Sequence, residues 1–171
     1  MNISVECVKE LRELTGAGIM ECKAALVKAE GDVTKAREDL KAKGFARAAK
    51  KAERVTSQGM IGSYVHTGNK LGAMVEIACE TDFVARTPQF QQLAHDLAMQ
   101  VAATAPLYVS AADVPADLPE DKKVDPVVAC LMQQPFIKDP ALTMEDVVKG
   151  VIGTLGENIR VRRFTRFELG C

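Results

Sequence analysis

Crossing a bilayer takes about 18 to 20 consecutive apolar residues, and no stretch of this 171-residue chain comes near that length without a charge interrupting it. Polar and acidic residues follow Met1 almost at once, so the start does not read as an apolar secretory core or as an Arg-rich, acid-poor leader. A cytoplasmic protein that does not touch membrane is the expectation. The five cysteines (Cys7, Cys22, Cys79, Cys130 and Cys171) are odd in number and include no C-x-x-C pair, which argues against a disulfide framework and against a zinc site. Four of them fall among apolar neighbours and read as buried thiols acting as small hydrophobes. Cys171, beside Gly170, is a candidate for a disulfide between two copies, against the default of a free thiol.

A dominant charge is missing too. Residues 1 to 58 carry 12 Lys and Arg against 9 acids and the remainder 10 against 14, so the first part is mildly basic and the second mildly acidic. Neither imbalance makes the concentrated positive field of a nucleic-acid binder. Catalytic furniture is equally scarce: no paired acids, no nucleophile with its base, no phosphate cradle at useful spacing. Gly16-Ala17-Gly18 lacks the third glycine of a nucleotide loop and follows no strand, so it reads as a helix–helix turn. Cys79 beside Glu80 resembles a nucleophile only superficially, because the two histidines, His66 and His95, are far off in sequence. The expectation is a protein that is not an enzyme and holds no cofactor or metal.

What the chain does have is 47% apolar residues against 26% charged, enough for one sizeable core with a small satellite. Ser4 can cap a helix through Val5, Val8, Leu11 and Leu14, which Thr15-Gly16-Ala17-Gly18 breaks. A second helix spans about 19–29 with Cys22, Ala25, Leu26 and Ala29 on one face, closed by Gly31. Asp32 caps a third through Val33, Ala36 and Leu40, predicted to stop near Gly44. Such a bundle has a thin core and needs a neighbour. Residues 45–58 then read as a basic linker helix with an exit at Thr56-Ser57-Gln58-Gly59.

Beyond residue 59 the period changes to two. Met60 to His66 and Leu71 to Cys79 flank the turn Thr67-Gly68-Asn69-Lys70 and predict a hairpin. Thr87 caps, and Pro88 opens, a helix with the buried stripe Phe90, Leu93, Ala94, Leu97, Ala98 and Val101; His95 and Asp96 fall off that stripe. Four prolines make 105–126 a surface excursion. A short strand at 135–138, a helix capped by Thr143 and a final strand over 158–169 complete the pattern. In that last strand Ile159, Val161, Phe167 and Leu169 form the expected core face, with Arg160, Arg162 and Arg166 opposite. The fold class is α+β: a three-helix module (1–44), the linker helix (45–58) and a two-layer antiparallel sheet with helices on one face (59–171).

Residues 80–86 stand out because a hairpin strand gives way to a helix through two acids, a phenylalanine and a valine. Two readings stay open on the residues alone. In one, Asp82 caps a short turn while Phe83 and Val84 fold into the core. In the other, a rigid wedge presents an apolar ring beside a carboxylate to a partner.

Two stretches resemble the marks of the elongation factor Ts family, the exchange factors of elongation factor Tu. They are Leu11-Arg12-Glu13-Leu14-Thr15-Gly16-Ala17-Gly18-Ile19-Met20-Glu21-Cys22-Lys23-Ala24-Ala25-Leu26 and Glu76-Ile77-Ala78-Cys79-Glu80-Thr81-Asp82-Phe83-Val84-Ala85-Arg86, with Gly156-Glu157-Asn158-Ile159 and Arg162-Arg163-Phe164 in support. The resemblance implies that the three-helix module is ubiquitin-associated-like and grips the GTPase through Leu11, Arg12, Thr15, Gly16, Gly18, Met20 and Lys23. It implies that Thr81, Asp82, Phe83 and Val84 form an exchange wedge that disturbs the partner's Mg²⁺ and phosphate site. The family usually has asparagine where Ala78 stands, and its larger members carry a second core subdomain and a helical segment missing here around Asp125 to Gln134. The chain is similar to the short form, which pairs two copies, so a homodimer is implied.

Two other classes compete. One is a plain adaptor without exchange activity; the other is an RNA-binding accessory using Lys50, Lys51, Arg54 and the arginines of the last strand, against which the acidic second part counts.

Overall fold

The computed structural model describes residues 3–117, 119 and 124–170, which leaves Cys171 outside. Three helices open the chain: α1 (Val5–Thr15), α2 (Ile19–Lys28) and α3 (Val33–Ala49). Ser4 caps α1 by accepting from the Cys7 amide, and Gly16, at φ +66°, ends it in the left-handed conformation that side chains avoid. Asp32 caps α3 through the Lys35 amide. Leu11, Cys22, Ala25, Leu26 and Ala36 fill the small core between them.

The third helix does not stop at Gly44. It continues without a break to Ala49, so the basic segment from Phe45 onward is its C-terminal half, and only Lys50 to Arg54 form turns. Glycine inside a helix costs about 1 kcal/mol relative to alanine, and tertiary packing explains its presence. A Cβ placed on Gly153 of α7 (Met144–Leu155) would lie 2.7 Å from the Gly44 Cα. The pair lets α3 and α7 touch backbone to backbone, which joins the three-helix module to the rest of the chain.

The second part is built on a three-stranded antiparallel sheet in the order β1 (Gln58–Val65), β2 (Leu71–Cys79), β5 (Ile159–Glu168). The hairpin closes as expected, with Val65 opposite Gly72 and Gln58 opposite Cys79. Helix α5 (Pro88–Thr104) lies across one face, and Phe90, Leu93, Ala94, Leu97, Ala98 and Val101 are all buried. Contact is closest at Gly62, where a Cβ would meet the Ala94 carbonyl at 2.6 Å. Helix α7, capped by Thr143 with Asp146 returning the bond, completes that layer through Met144, Val148 and Ile152.

Three expectations for this part change. Asp96 is buried rather than off the stripe, where it accepts from Lys138 Nζ at 2.7 Å and from Gln92 at 2.9 Å. After the one-turn helix α6 (Pro126–Ala129), the segment is a small hairpin, β3 (Pro135–Phe136) with β4 (Asp139–Thr143), held by the buried Gln100 amide through Pro135 O and Ile137 N. In β5 the alternation slips. Glu76 pairs with Arg163 and Ile77 with Val161, so Arg162 is an extra residue and the parity of the strand inverts beyond it. Phe164 therefore packs on the core and Arg166 turns inward to bond Ala102 O at 2.9 Å, while Phe167 and Leu169 are left exposed.

Candidate functional site

Strand β2 ends at Cys79, and the chain passes through Glu80 and Thr81 into a single helical turn, α4 (Asp82–Ala85), before Thr87 starts α5. Thr81, not Asp82, is the cap: its extended backbone and its hydroxyl, 3.5 Å from the Val84 amide, start the turn. Thr87 closes the other end by donating to Val84 O at 2.8 Å and accepting from Phe90 N at 3.3 Å. The turn is thus fixed at both ends.

A one-turn helix sends neighbouring side chains in different directions, and here the two apolar ones separate. Val84 is buried in the main core, whereas Phe83 is 81% exposed. Val84 folds back into the core as the first reading of this segment expects, whereas Phe83 does not and is left in solvent. Asp82 precedes Phe83 in the chain, and its carboxylate accepts from Arg86 at 2.9 Å. An exposed pair of this kind is worth little to stability.

The turn is anchored from below. The Thr81 amide donates to Glu157 Oε2 at 2.9 Å and its hydroxyl to Glu157 Oε1 at 2.6 Å. In the same stretch the Asn158 amide donates to Glu80 Oε1 at 2.6 Å. The Asn158 side chain reaches Ala52 O and Arg54 O, and Lys51 Nζ donates to Gly156 O, so the turns after α3 meet this loop as well. Cys79 donates its thiol to Thr81 O at 3.0 Å. Burial first, and the nearby Glu157 charge second, push that thiol's pKa up. It stays protonated and serves as a packed donor, the opposite of an activated nucleophile.

In the three-helix module the residues around the first turn also divide. Leu11 is fully buried, so it supports the turn from inside rather than facing a partner; the sequence places it on the same helical face that the small core needs. Thr15 is half-buried, with its hydroxyl donating to Leu11 O at 2.6 Å and accepting from Ala17 N. Gly16 and Gly18 shape the backbone as the cap of α1 and the entry to α2. Arg12, Met20 and Lys23 are exposed, Met20 by 75%. Leu14, expected on the apolar face of α1, is instead more than half exposed, as is Ile19, and the two give this turn an apolar surface. Glu157 and Glu80 lie within the quoted motifs but have no role assigned by them, because that role depends on a loop more than seventy residues away in sequence.

Among the described residues no group of His, Cys, Asp or Glu is arranged to hold a metal, and no helix is long and apolar enough to cross a membrane. Cys22, Cys79 and Cys130 are buried free thiols and Cys7 is half-buried.

The protein-family model described as elongation factor TS matches residues 4–125, a span that includes both the three-helix turn and α4. The chain belongs to the elongation factor Ts family. Elongation factor Ts of Oleidesulfovibrio alaskensis is 47% identical, over 99% of this chain and 98% of its own length. Those of Thermotoga sp. and Methylacidiphilum infernorum are 46% and 44% identical, over 99% of this chain in each case. The alignments extend over 193 to 195 positions against 171 residues here, so these elongation factors Ts carry inserted segments that this chain lacks.

Proposed function

We propose that this chain is a non-enzymatic guanine-nucleotide exchange factor of elongation factor Tu, acting in the cytoplasm with Phe83 as a wedge. The observation that carries the reading is an aromatic ring left 81% exposed on a one-turn helix whose two ends are both fixed. A large apolar side chain held rigidly in water gains nothing for the fold, so its use is sought in a partner. Membership of the elongation factor Ts family supplies the partner.

A GTPase holds its nucleotide through the phosphate loop and a Mg²⁺ that bridges phosphate to protein. Coupling between two ligands is reciprocal: a factor that binds the empty GTPase best must weaken GDP by the same ratio. In this reading the three-helix module grips the GTPase through the surface of Arg12, Met20 and Lys23 around Thr15, Gly16 and Gly18. Phe83 enters the partner beside the Mg²⁺ site and displaces side chains there, and Asp82 orients the ring and alters the local charge balance. Thr81 and Val84 hold the wedge from behind. Stopped-flow release of a fluorescent GDP from the host's elongation factor Tu tests the proposal. Release accelerated by the wild-type chain supports it; release unaffected at saturating concentration rejects it and leaves the plain adaptor.

The same reading includes a homodimer. Among the described residues helices cover one face of the sheet, and the other presents Ile61, Val65, Met74, Phe167 and Leu169, each exposed. Glu76 and Arg163 pair on that face at 2.7 Å. A patch that carries apolar residues together with both charges can meet itself across a two-fold axis, which is what an isologous interface requires.

A further inference from the structure

The last residue pair of the β2–β5 ladder is Cys79 with Ile159. One step further the strands part, and the backbone amides of Asn158 and Thr81 would be left without partners. Each is taken instead by a carboxylate from the opposite strand: Glu80 accepts from Asn158 N, and Glu157 accepts from Thr81 N. The exchange is unequal, because Glu157 uses its second oxygen on the Thr81 hydroxyl as well, at 2.6 Å. A carboxylate offers acceptors on both oxygens, so each of the two donors of Thr81 meets its own charged oxygen. Charge-assisted bonds of this sort are the strong ones, and two of them fix rotation as well as position.

The consequence runs through the cap. A Thr81 hydroxyl whose proton is committed to Glu157 turns its lone pairs toward the Val84 amide, which is the first bond of α4. Phe83 sits on that turn. The loop that carries Glu157 is itself tied to the exit of α3 by Asn158 Nδ2 on Ala52 O and Arg54 O and by Lys51 on Gly156 O. From this geometry we infer that Glu157 is a positioning residue for the wedge: its bidentate grip on Thr81 sets where Phe83 points and ties that direction to the helix leading out of the three-helix module. The inference rests on the exchange reading for its effect on GDP release, though not for its effect on the ring.

Two measurements on the full chain separate these. In the first, GDP release from elongation factor Tu is followed against factor concentration for wild type, Glu157→Ala, Glu157→Gln, Phe83→Ala and the Glu157→Ala/Phe83→Ala double variant. A ring displaced by an ångström is expected to slow release at saturation by about tenfold or more in Glu157→Ala. Glu157→Gln, which keeps the length and one acceptor, should fall between. Because the surface around Met20 is untouched, the half-saturating concentration should stay within about twofold of wild type. The double variant should release no more slowly than Phe83→Ala alone, since Glu157 acts through the ring. Additive losses, a changed half-saturating concentration with the saturated rate intact, or wild-type rates in Glu157→Ala would each overturn the assignment. In the second, a fluorophenylalanine placed at position 83 alone reports the ring by its fluorine resonance. One narrow line in wild type and a shifted or broadened line in Glu157→Ala and Glu157→Gln support positioning; identical lines refute it. If the wild-type chain fails to accelerate release, the exchange reading falls, and the fluorine resonance still decides whether Glu157 orients the ring.

Discussion

Phe83 and Val84 are adjacent and both apolar, yet one is exposed and the other buried. Removing them should therefore damage different things. Val84→Ala takes two methyl groups out of the core and is expected to lower stability by about 2 kcal/mol in chemical denaturation. Phe83→Ala should shift stability by no more than about 0.5 kcal/mol, as for other exposed positions. Equal losses in the two variants would mean that the ring packs after all. The motif Thr81-Asp82-Phe83-Val84 was legible as an unusual segment because a large ring in a turn conflicts with the rule that turns are polar. Which residue caps it was not. Thr81 and Asp82 are both good caps, and the choice is made by Glu157, whose contact no local pattern can contain. The exposed ends of β5 were misread for a related reason: alternation predicts a core face only while the register holds, and the extra residue at Arg162 inverts it.

At the scale of elements, most helix starts were readable: Ser4, Asp32, Thr87 and Thr143 all cap the helices their chemistry suggests, while the stripe expected for α1 holds only in part, since Val5 and Leu14 are exposed. The end of α3 was not, since Gly44 is a stop signal by propensity and a contact site by packing. That difference is testable in α7. Gly153→Ala drives a methyl to 2.7 Å from the Gly44 Cα and should destabilise by about 1 to 3 kcal/mol despite better helix propensity. Gly150→Ala, with nothing within 4 Å, should stabilise by up to about 1 kcal/mol. Denaturation midpoints moving the same way in both would contradict the close crossing. The three-helix module carries a second signature. The Arg47 hydrogen bond holds Glu21 below its ordinary 4.5; the Lys35 amide holds Asp32, and Lys28 followed by Lys43 hold Asp39, below 3.8. Carboxylates depressed in the folded state stabilise it above their ordinary pKa, and that contribution is lost as pH falls through the folded values. With so thin a core, the module should lose amide-exchange protection on acidification from about pH 4.5 downward before the sheet does. Simultaneous loss in both would place its stability elsewhere.

For the molecule as a whole, the two parts meet where α3 crosses α7 and where the loop 156–158 touches both the exit of α3 and the wedge. The open sheet face gives the proposed homodimer its own test: Phe167→Arg should convert a dimer to a monomer by light scattering, and a monomeric wild type or an unaffected variant would remove this face as the interface. The most direct measurement is GDP release from elongation factor Tu at saturating concentrations of wild type and of Phe83→Ala. The wedge reading predicts that the variant still binds the GTPase while its release rate falls by about tenfold or more, the loss expected when an interaction made at the reacting centre is removed. A variant that releases GDP as fast as wild type would contradict it.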